Sequence, residues 1–285
     1  MLLGLAPGLT GCYQTTRMVP IARPPQQLIA APLDQLLKQT NNRYDALKTM
    51  TASVQITVTQ GGNKQGKEDT AGPFSGHMLM RKPADLRVIL YLPVYHSTMF
   101  DTATDGKTFK TVIPPWNQAY QGSNDVTTPS EKPIENIRPP VFLDAMFVRG
   151  LGAGERPSLT TDERIYQPDP KKKDLISEPD YDLAILREKS ATELQTLRIV
   201  HISRSNLLPY QQDIFDEKGQ LVTQAFYENY QMFGAIQFPT KVTIKRPVDQ
   251  LSIVVVVSDL QPNLEMTDDQ FELKIPPSDK VQTLK

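Results

Sequence analysis

Apolar residues along the chain follow two periods. From Leu33 to Met50 they recur at spacings of three, four and seven: Leu33, Leu36, Leu37, Tyr44, Leu47 and Met50 fall on one side, with Asp34, Lys38, Asn41, Asn42, Asp45 and Lys48 mainly on the others. That is one face of a 3.6-residue repeat and predicts an amphipathic helix. From Ser53 the period drops to two. Val54, Ile56 and Val58 alternate with Gln55, Thr57 and Thr59, as in a strand with one buried face. Gly61, Gly62 and Gly66 mark a turn, and a second strand is expected over Phe74 to Arg81. Lys82-Pro83-Ala84-Asp85 turns the chain into Leu86 to Leu92, and Pro93 to His96 into Ser97 to Thr104. Asp105-Gly106 is a hairpin signal before Lys107 to Ile113, and Asn117 to Gly122 follows. Strands this close leave no room for crossover helices and predict an antiparallel meander.

Thr127 to Pro140 is polar and proline-rich and leads into Val141 to Val148, a candidate second helix or lid. Gly150 to Asp180 reads as a long polar excursion, with Pro157, Pro168, Pro170, Pro179 and the run Lys171-Lys172-Lys173. Strands resume at Tyr181 to Lys189, Leu194 to Ser203, Tyr210 to Asp216, Gln220 to Met232, Thr240 to Lys245 and Leu251 to Ser258. Thr267 to Gln270 predicts one helical turn and Phe271 to Ile275 a last strand. The total is about eleven or twelve strands and two or three helices with no internal repeat. The expected fold is mainly β, of the α+β class: a single large curved antiparallel sheet, a half-open β-barrel, formed by residues 33–285 with a polar insertion near 150–180.

Composition narrows the function. The chain has 285 residues, 39% of them hydrophobic and 22% charged, enough for one sizeable core. Lys and Arg number 31 against 32 Asp and Glu, so no net field draws in nucleic acid. One cysteine excludes an intramolecular disulfide and a Cys-based zinc site, and His77, His96 and His201 lie far apart in sequence. No apolar run is long enough for a membrane-spanning helix.

Three near-motifs fail on chemistry. Gly61 to Glu68 has P-loop spacing, but Glu68 stands where magnesium needs a hydroxyl. Asp101 to Gly106 begins like a calcium loop, but Ala103 and Val112 occupy ligand positions. Gly150-Leu151-Gly152-Ala153-Gly154 has Glu155 where a dinucleotide fingerprint needs its last glycine. No catalytic residue, metal or dissociable cofactor is expected, and the chain does not read as an enzyme. His201, in an apolar strand, reads as a satisfied sheet residue; His96 reads as exposed; and the lysine run reads as a solvated loop.

The sole cysteine closes a short apolar stretch, Leu9-Thr10-Gly11-Cys12, which resembles the bacterial lipobox. The resemblance implies a covalent lipid on Cys12, residues 1–11 as a signal peptide and residues 12–32 as a lipidated tether. Those first residues are short for a signal peptide and carry no leading Lys or Arg, which implies a start upstream of Met1. Pro20, Pro24, Pro25 and Pro32 suit a semi-rigid linker. Tyr13, rather than Asp, after the cysteine favours an outer-membrane location facing the periplasm.

A wider likeness rests on ordered features. These are the Leu33/Leu36/Leu37 helix, the strand Val54-Gln55-Ile56-Thr57-Val58, the segment from Gly76 through Arg81, Pro83, Leu86 and Arg87, the turn at Pro93, then Phe100 and Asp105-Gly106 to Phe109. Phe238-Pro239, Asn263 and Asp269 to Pro276 follow. Together they resemble the LolA/LolB-like lipoprotein carrier superfamily, most of all its outer-membrane lipoprotein-sorting branch. The resemblance implies an apolar cavity for acyl chains of lipoproteins or lipids. Val54, Ile56, Val58, Met78, Met80, Leu90 and Leu92 are candidate lining, with Phe142 and Met146 in the lid. Partners would be acyl chains, outer-membrane lipid and a periplasmic carrier protein. In the anchored branch an apolar loop protrudes between the third and fourth strands, and Val94 and Tyr95 hold that place here. A related fold serves envelope-stress sensing by binding lipid or peptide, which stays open as the other role. A filled core explains the same strand alternation as a cavity does.

Overall fold

Alternating strands make up most of the chain, and they join into one sheet. The computed structural model describes residues 17–25, 27–62, 66–125, 138–169 and 171–284. A two-residue strand β1 (Ala22–Arg23) precedes helix α1 (Leu33–Ala46). Six strands follow: β2 (Thr49–Gly62), β3 (Lys67–Arg81), β4 (Asp85–Tyr91), β5 (Thr98–Thr104), β6 (Thr108–Ile113) and β7 (Gln118–Ser123). Helix α2 (Pro140–Met146) separates these from β8 (Glu155–Tyr166), β9 (Leu175–Ser190), β10 (Glu193–Ser203), β11 (Pro209–Phe215), β12 (Leu221–Phe233), β13 (Ile236–Arg246), β14 (Leu251–Pro262) and β15 (Lys280–Leu284). The sheet is open, in the order β1-β9-β10-β11-β12-β13-β14-β2-β3-β4-β5-β6-β7-β15, with β8 also paired to β9. Two meanders therefore meet at one seam, where β14 runs antiparallel to β2 from Leu251↔Gln60 to Pro262↔Met50.

The curved sheet around helices is as the alternation predicts, with corrections. Among the described residues there are fifteen strands, and the sheet is mixed: β1 pairs with β9, and β15 with β7, in parallel. The polar excursion is the hairpin β8–β9, in register from Glu155↔Arg187 to Tyr166↔Ile176. It does not read as strand because the outward positions of β9 carry Glu178, Asp180 and Asp182. The segment 271–275 forms no strand. It is irregular chain whose Leu273 packs with Ala103, Val112 and Ala119, and the last strand is β15.

Helix α1 stops at Ala46, short of Met50. The Asn263 side chain accepts a hydrogen bond from the Lys48 N–H (2.8 Å) and donates one to the Ala46 carbonyl (2.8 Å). It satisfies an end carbonyl that the helix cannot and turns the chain into β2, so Met50 is a strand residue. Leu36 of α1 packs on Leu183, Ile185, Val200 and Ile202 of β9 and β10. Helix α2 covers the larger cluster, built from β2, β3, β4, β12, β13 and β14. The outer face of the first meander is crossed by the C-terminal segment. Arg81 reaches Asp268 and the Met266 carbonyl, and Arg87 reaches the Gln270 and Glu272 carbonyls.

Candidate functional site

Helix α2 covers part of the apolar inner face. Its seven residues, Pro-Val-Phe-Leu-Asp-Ala-Met, start with a proline in the first turn, where the missing N–H costs nothing. Ala145 and Met146 are buried, and Val141, Phe142, Leu143, Phe147 and Val148 pack against the same core. Two side chains of the sheet hold the helix by its carbonyls: Tyr227 Oη donates to Ala145 O (2.8 Å) and Gln212 Nε2 to Asp144 O (2.8 Å). Just beyond, Arg198 donates to the carbonyls of Arg149 and Gly150 and pairs with Glu155 at 2.7 Å. Gly150 lies so close to α1 that a Cβ there would sit 1.6 Å from Asn41 Oδ1, which accepts the Leu151 N–H at 3.1 Å. The helix is thus fastened firmly at its C-terminal side.

The structure brings most of the predicted lining residues together around α2. Val54, Ile56, Met78, Met80, Leu90 and Met146 are buried in one cluster, and Val58 and Phe142 are half-buried against it. Leu92 lies outside it, half-exposed just past the end of β4, where its N–H bonds to Ser97 O. These residues form packed core. Beside α2 a recess of about 170 Å³ is lined by Phe147, Leu197, Ile214, Phe215, Arg149 and Arg187, among others. Sequence reasoning did not single out Tyr227, Gln212 or Arg198, because a lone polar residue in a strand carries no sign of what it will grip.

The outer face of the second meander holds a buried charged network. Arg164 pairs with Glu178 (2.9 Å) and Asp180 (3.3 Å), both essentially inaccessible. Burial would raise Glu178, but hydrogen bonds from Ser203, Ser205 and Arg164 outweigh it and hold its pKa at about 2. Asp180 has an unpartnered Oδ1, and burial raises its pKa to about 6. His201 sits between Asp182 (Nδ1–Oδ1, 2.7 Å) and Asp213 (Nε2–Oδ2, 3.5 Å). Burial alone would lower His201, but the two carboxylates prevail and raise it to about 9. The fold supplies the partners that sequence neighbours lacked. His77 instead packs edge-on to Tyr91, and His96 is exposed. Among the described residues no group of His, Cys, Asp or Glu is arranged to hold a metal ion.

The His201 geometry gives a signed expectation. A group raised from 6.5 to about 9 in the folded state stabilises fully below the lower value and loses that effect as pH rises through the higher one. His201→Gln should lower unfolding free energy by roughly 2 kcal/mol near pH 6 and by far less near pH 10. Urea titrations across that range check this; a pH-independent deficit would show a packing effect instead.

At the end of the sheet where β4 turns into β5, Val94 and Tyr95 are 78% and 81% exposed. Cys12 lies outside the described residues. Part of the expected tether docks on the sheet: Ala22 pairs with Leu175, Ile29 N–H bonds to Arg204 O and Ala31 N–H to Tyr181 Oη.

No protein-family model matches the chain, and no curated protein does. Solved structures do. A LolA superfamily protein from Nitrosomonas europaea is similar at 16% identity and a TM-score of 0.51, over 86% of this chain and 99% of that one. A DUF1329 family protein from Desulfovibrio piger is similar at 14% identity and a TM-score of 0.53, over 83% of this chain and 94% of that one. The likeness is one of fold: among the described residues, an open sheet around two α-helices, one of them laid over an apolar inner face.

Proposed function

We propose, from this LolA-like fold and its helix-covered apolar face, that the protein binds acyl chains of lipids or lipoproteins between α2 and the sheet, without covalent chemistry. The observation that carries this reading is the attachment of α2. An apolar helix of seven residues rests on a methionine-bearing face through two side-chain hydrogen bonds to its last carbonyls. Methionine suits an irregular guest because it is unbranched and polarizable. In this mechanism α2 swings out and an acyl chain takes over the contacts of Phe142, Met146 and Phe147. Each methylene withdrawn from water contributes about 0.8 kcal/mol, against the cost of exposing the helix. The residues sharing this face, Val54, Ile56, Val58, Met78, Met80 and Leu90, become the lining once the helix leaves, with Leu92 at the margin. A lipid on Cys12 would hold the domain at the outer membrane, and acyl chains would come from outer-membrane lipid or from a periplasmic carrier.

Two experiments test this. An environment-sensitive fatty-acid probe should bind the purified protein and be displaced by acylated peptide; saturating probe without a signal ends the reading. Tyr227→Phe removes one hydrogen bond holding α2 at no cost in apolar volume. It should lower stability by about 1 kcal/mol and, by making opening easier, raise probe affinity up to about fivefold. Unchanged or weaker binding would show that α2 does not gate the site. The anchor is checked separately: Cys12→Ala should lower the share of the protein in the membrane fraction and remove any acyl mass from its N-terminal peptide.

A further inference from the structure

We infer that the β6–β7 turn, with Trp116 at its tip, is a second membrane-interface contact that acts together with the β4–β5 turn as one edge of the sheet. Register places the two turns side by side. Asp101 pairs with Val112, so β6 ends where β5 begins, and Ile113↔Gln118 and Tyr91↔Thr98 close the two hairpins at the same end. With strands about 4.8 Å apart, the turns are about 10 Å apart. Pro114–Trp116 forms a 3-10 turn closed by the Asn117 N–H on Pro114 O (3.1 Å), with Asn117 in the left-handed region. Trp116 is 69% exposed there, beside Val94 at 78% and Tyr95 at 81%.

The composition of the edge selects its occupant. Residues 92–97 and 113–117 contain no Asp, Glu, Lys or Arg; their titratable groups are the Tyr95 phenol and the His96 imidazole. On the flank, Lys280 N–H bonds to Asn117 O, and Asp279 precedes it, so the pair is nearly neutral. A solvated turn normally shows polar residues or glycine. Three prolines, a valine, a tyrosine and a tryptophan on two adjoining tips instead match the headgroup layer of a bilayer, where Trp and Tyr rings sit half in hydrocarbon and half in water. Proline also fixes backbone that would otherwise lose entropy on docking.

The chain approaches the sheet at its other end, where Ile29 bonds to Arg204 in the loop between β10 and β11. Residues 12–28, which precede the Ile29 contact, extend to about 58 Å, and β9, with its 16 residues, spans about 53 Å. Once its short pairing to β9 releases, the tether is long enough for an anchored Cys12 and this edge to meet one bilayer. The inference does not depend on the acyl site or on lipidation.

Trp116 is the sole tryptophan, so the protein carries its own reporter. The full chain with Cys12→Ala, which removes any acyl anchor, is mixed with vesicles of phosphatidylethanolamine and phosphatidylglycerol. Emission should move to shorter wavelength by several nanometres, be quenched by brominated lipid, and persist at high salt. Val94→Glu with Tyr95→Ser should weaken vesicle binding about tenfold or more while leaving thermal stability unchanged. Saturating vesicles without a spectral change overturn the inference. So does a change abolished by salt, which would mark adsorption through charges elsewhere, or a change produced by acylated peptide but not by vesicles, which would make the edge a cargo contact. Fatty-acid binding without any of these responses would leave the acyl site intact and the edge refuted.

Discussion

Met80→Asp is expected to leave the protein unfolded at neutral pH. Met80 is fully buried on β3, opposite Met50 of β2 and Leu86 of β4, inside the cluster that α2 covers. Truncation alone at such a site costs about 2–5 kcal/mol. The carboxylate adds the penalty of an unpaired buried charge, several kcal/mol more even if it neutralises by taking up a proton. Together these rival the roughly 5–15 kcal/mol that holds a typical domain together. Circular dichroism and urea unfolding would show the loss, and Met80→Leu should be nearly neutral as a volume control. Val94→Glu, at an exposed tip, should stay within about 0.5 kcal/mol of wild type. A folded, stable Met80→Asp protein would mean that the inner face opens to water far more readily than its packing shows.

Arg164→Met is expected to cost about 3–5 kcal/mol, the usual penalty for leaving buried charge without its partner. Arg164 joins Glu178 and Asp180, whose side chains are 0% and 1% exposed. Its loss leaves Glu178 with the hydroxyls and N–H of Ser203 and Ser205, and Asp180 with Tyr210 Oη at 2.8 Å. The sign with pH is set by Asp180, already raised to about 6 by burial. Without the cation it takes up a proton at still higher pH. The folded variant then binds protons that the unfolded chain releases, and stability falls as pH rises through that window. The deficit should therefore be smaller near pH 5 than near pH 8. A deficit equal at both would show that Arg164 matters through its packing on Tyr166 and Tyr210 rather than its charge.

What could be read from the sequence, and what could not, follows from where the information resides. The first meander was legible because inward Val54, Ile56, Met78, Met80 and Leu90 alternate with polar residues, and Gly, Pro and Asp mark its turns. Strand β8 and the start of β9 were not, because their outward positions hold Glu178, Asp180 and Arg164. Buried charges look like loop until the fold pairs them. The helix end at Ala46 depends on Asn263, over two hundred residues away, and no local signal announces such a cap. Of the apolar residues named from sequence as lining, all but Leu92 belong to or pack against the cluster that α2 covers. Sequence reasoning missed Tyr227 and Gln212, which hold the helix, because their partners are backbone carbonyls, and any residue supplies those. Trp116 lies in the gap between two predicted strands, and only strand register places its turn next to that of Tyr95.

The C-terminal segment fixes an order on the making of this protein. Its residues end the first helix, cross the outer face of the first meander and add β15 to the edge at β7. Before them, β14 supplies the neighbour that β2 needs. A ribosome or a secretion channel releases the chain from its N-terminus, so the half of the sheet that emerges first waits for the half that emerges last. Until then β2 and β7 present unpaired strand edges, the form in which chains associate wrongly. The second meander, from β8 to β14, has its neighbours next to it in sequence and needs no such wait. The later-made half thus serves as the template on which the earlier-made half closes, and a chain shortened after Arg246, which lacks β14 and the C-terminal segment, should collect as aggregate rather than as a slightly smaller folded protein.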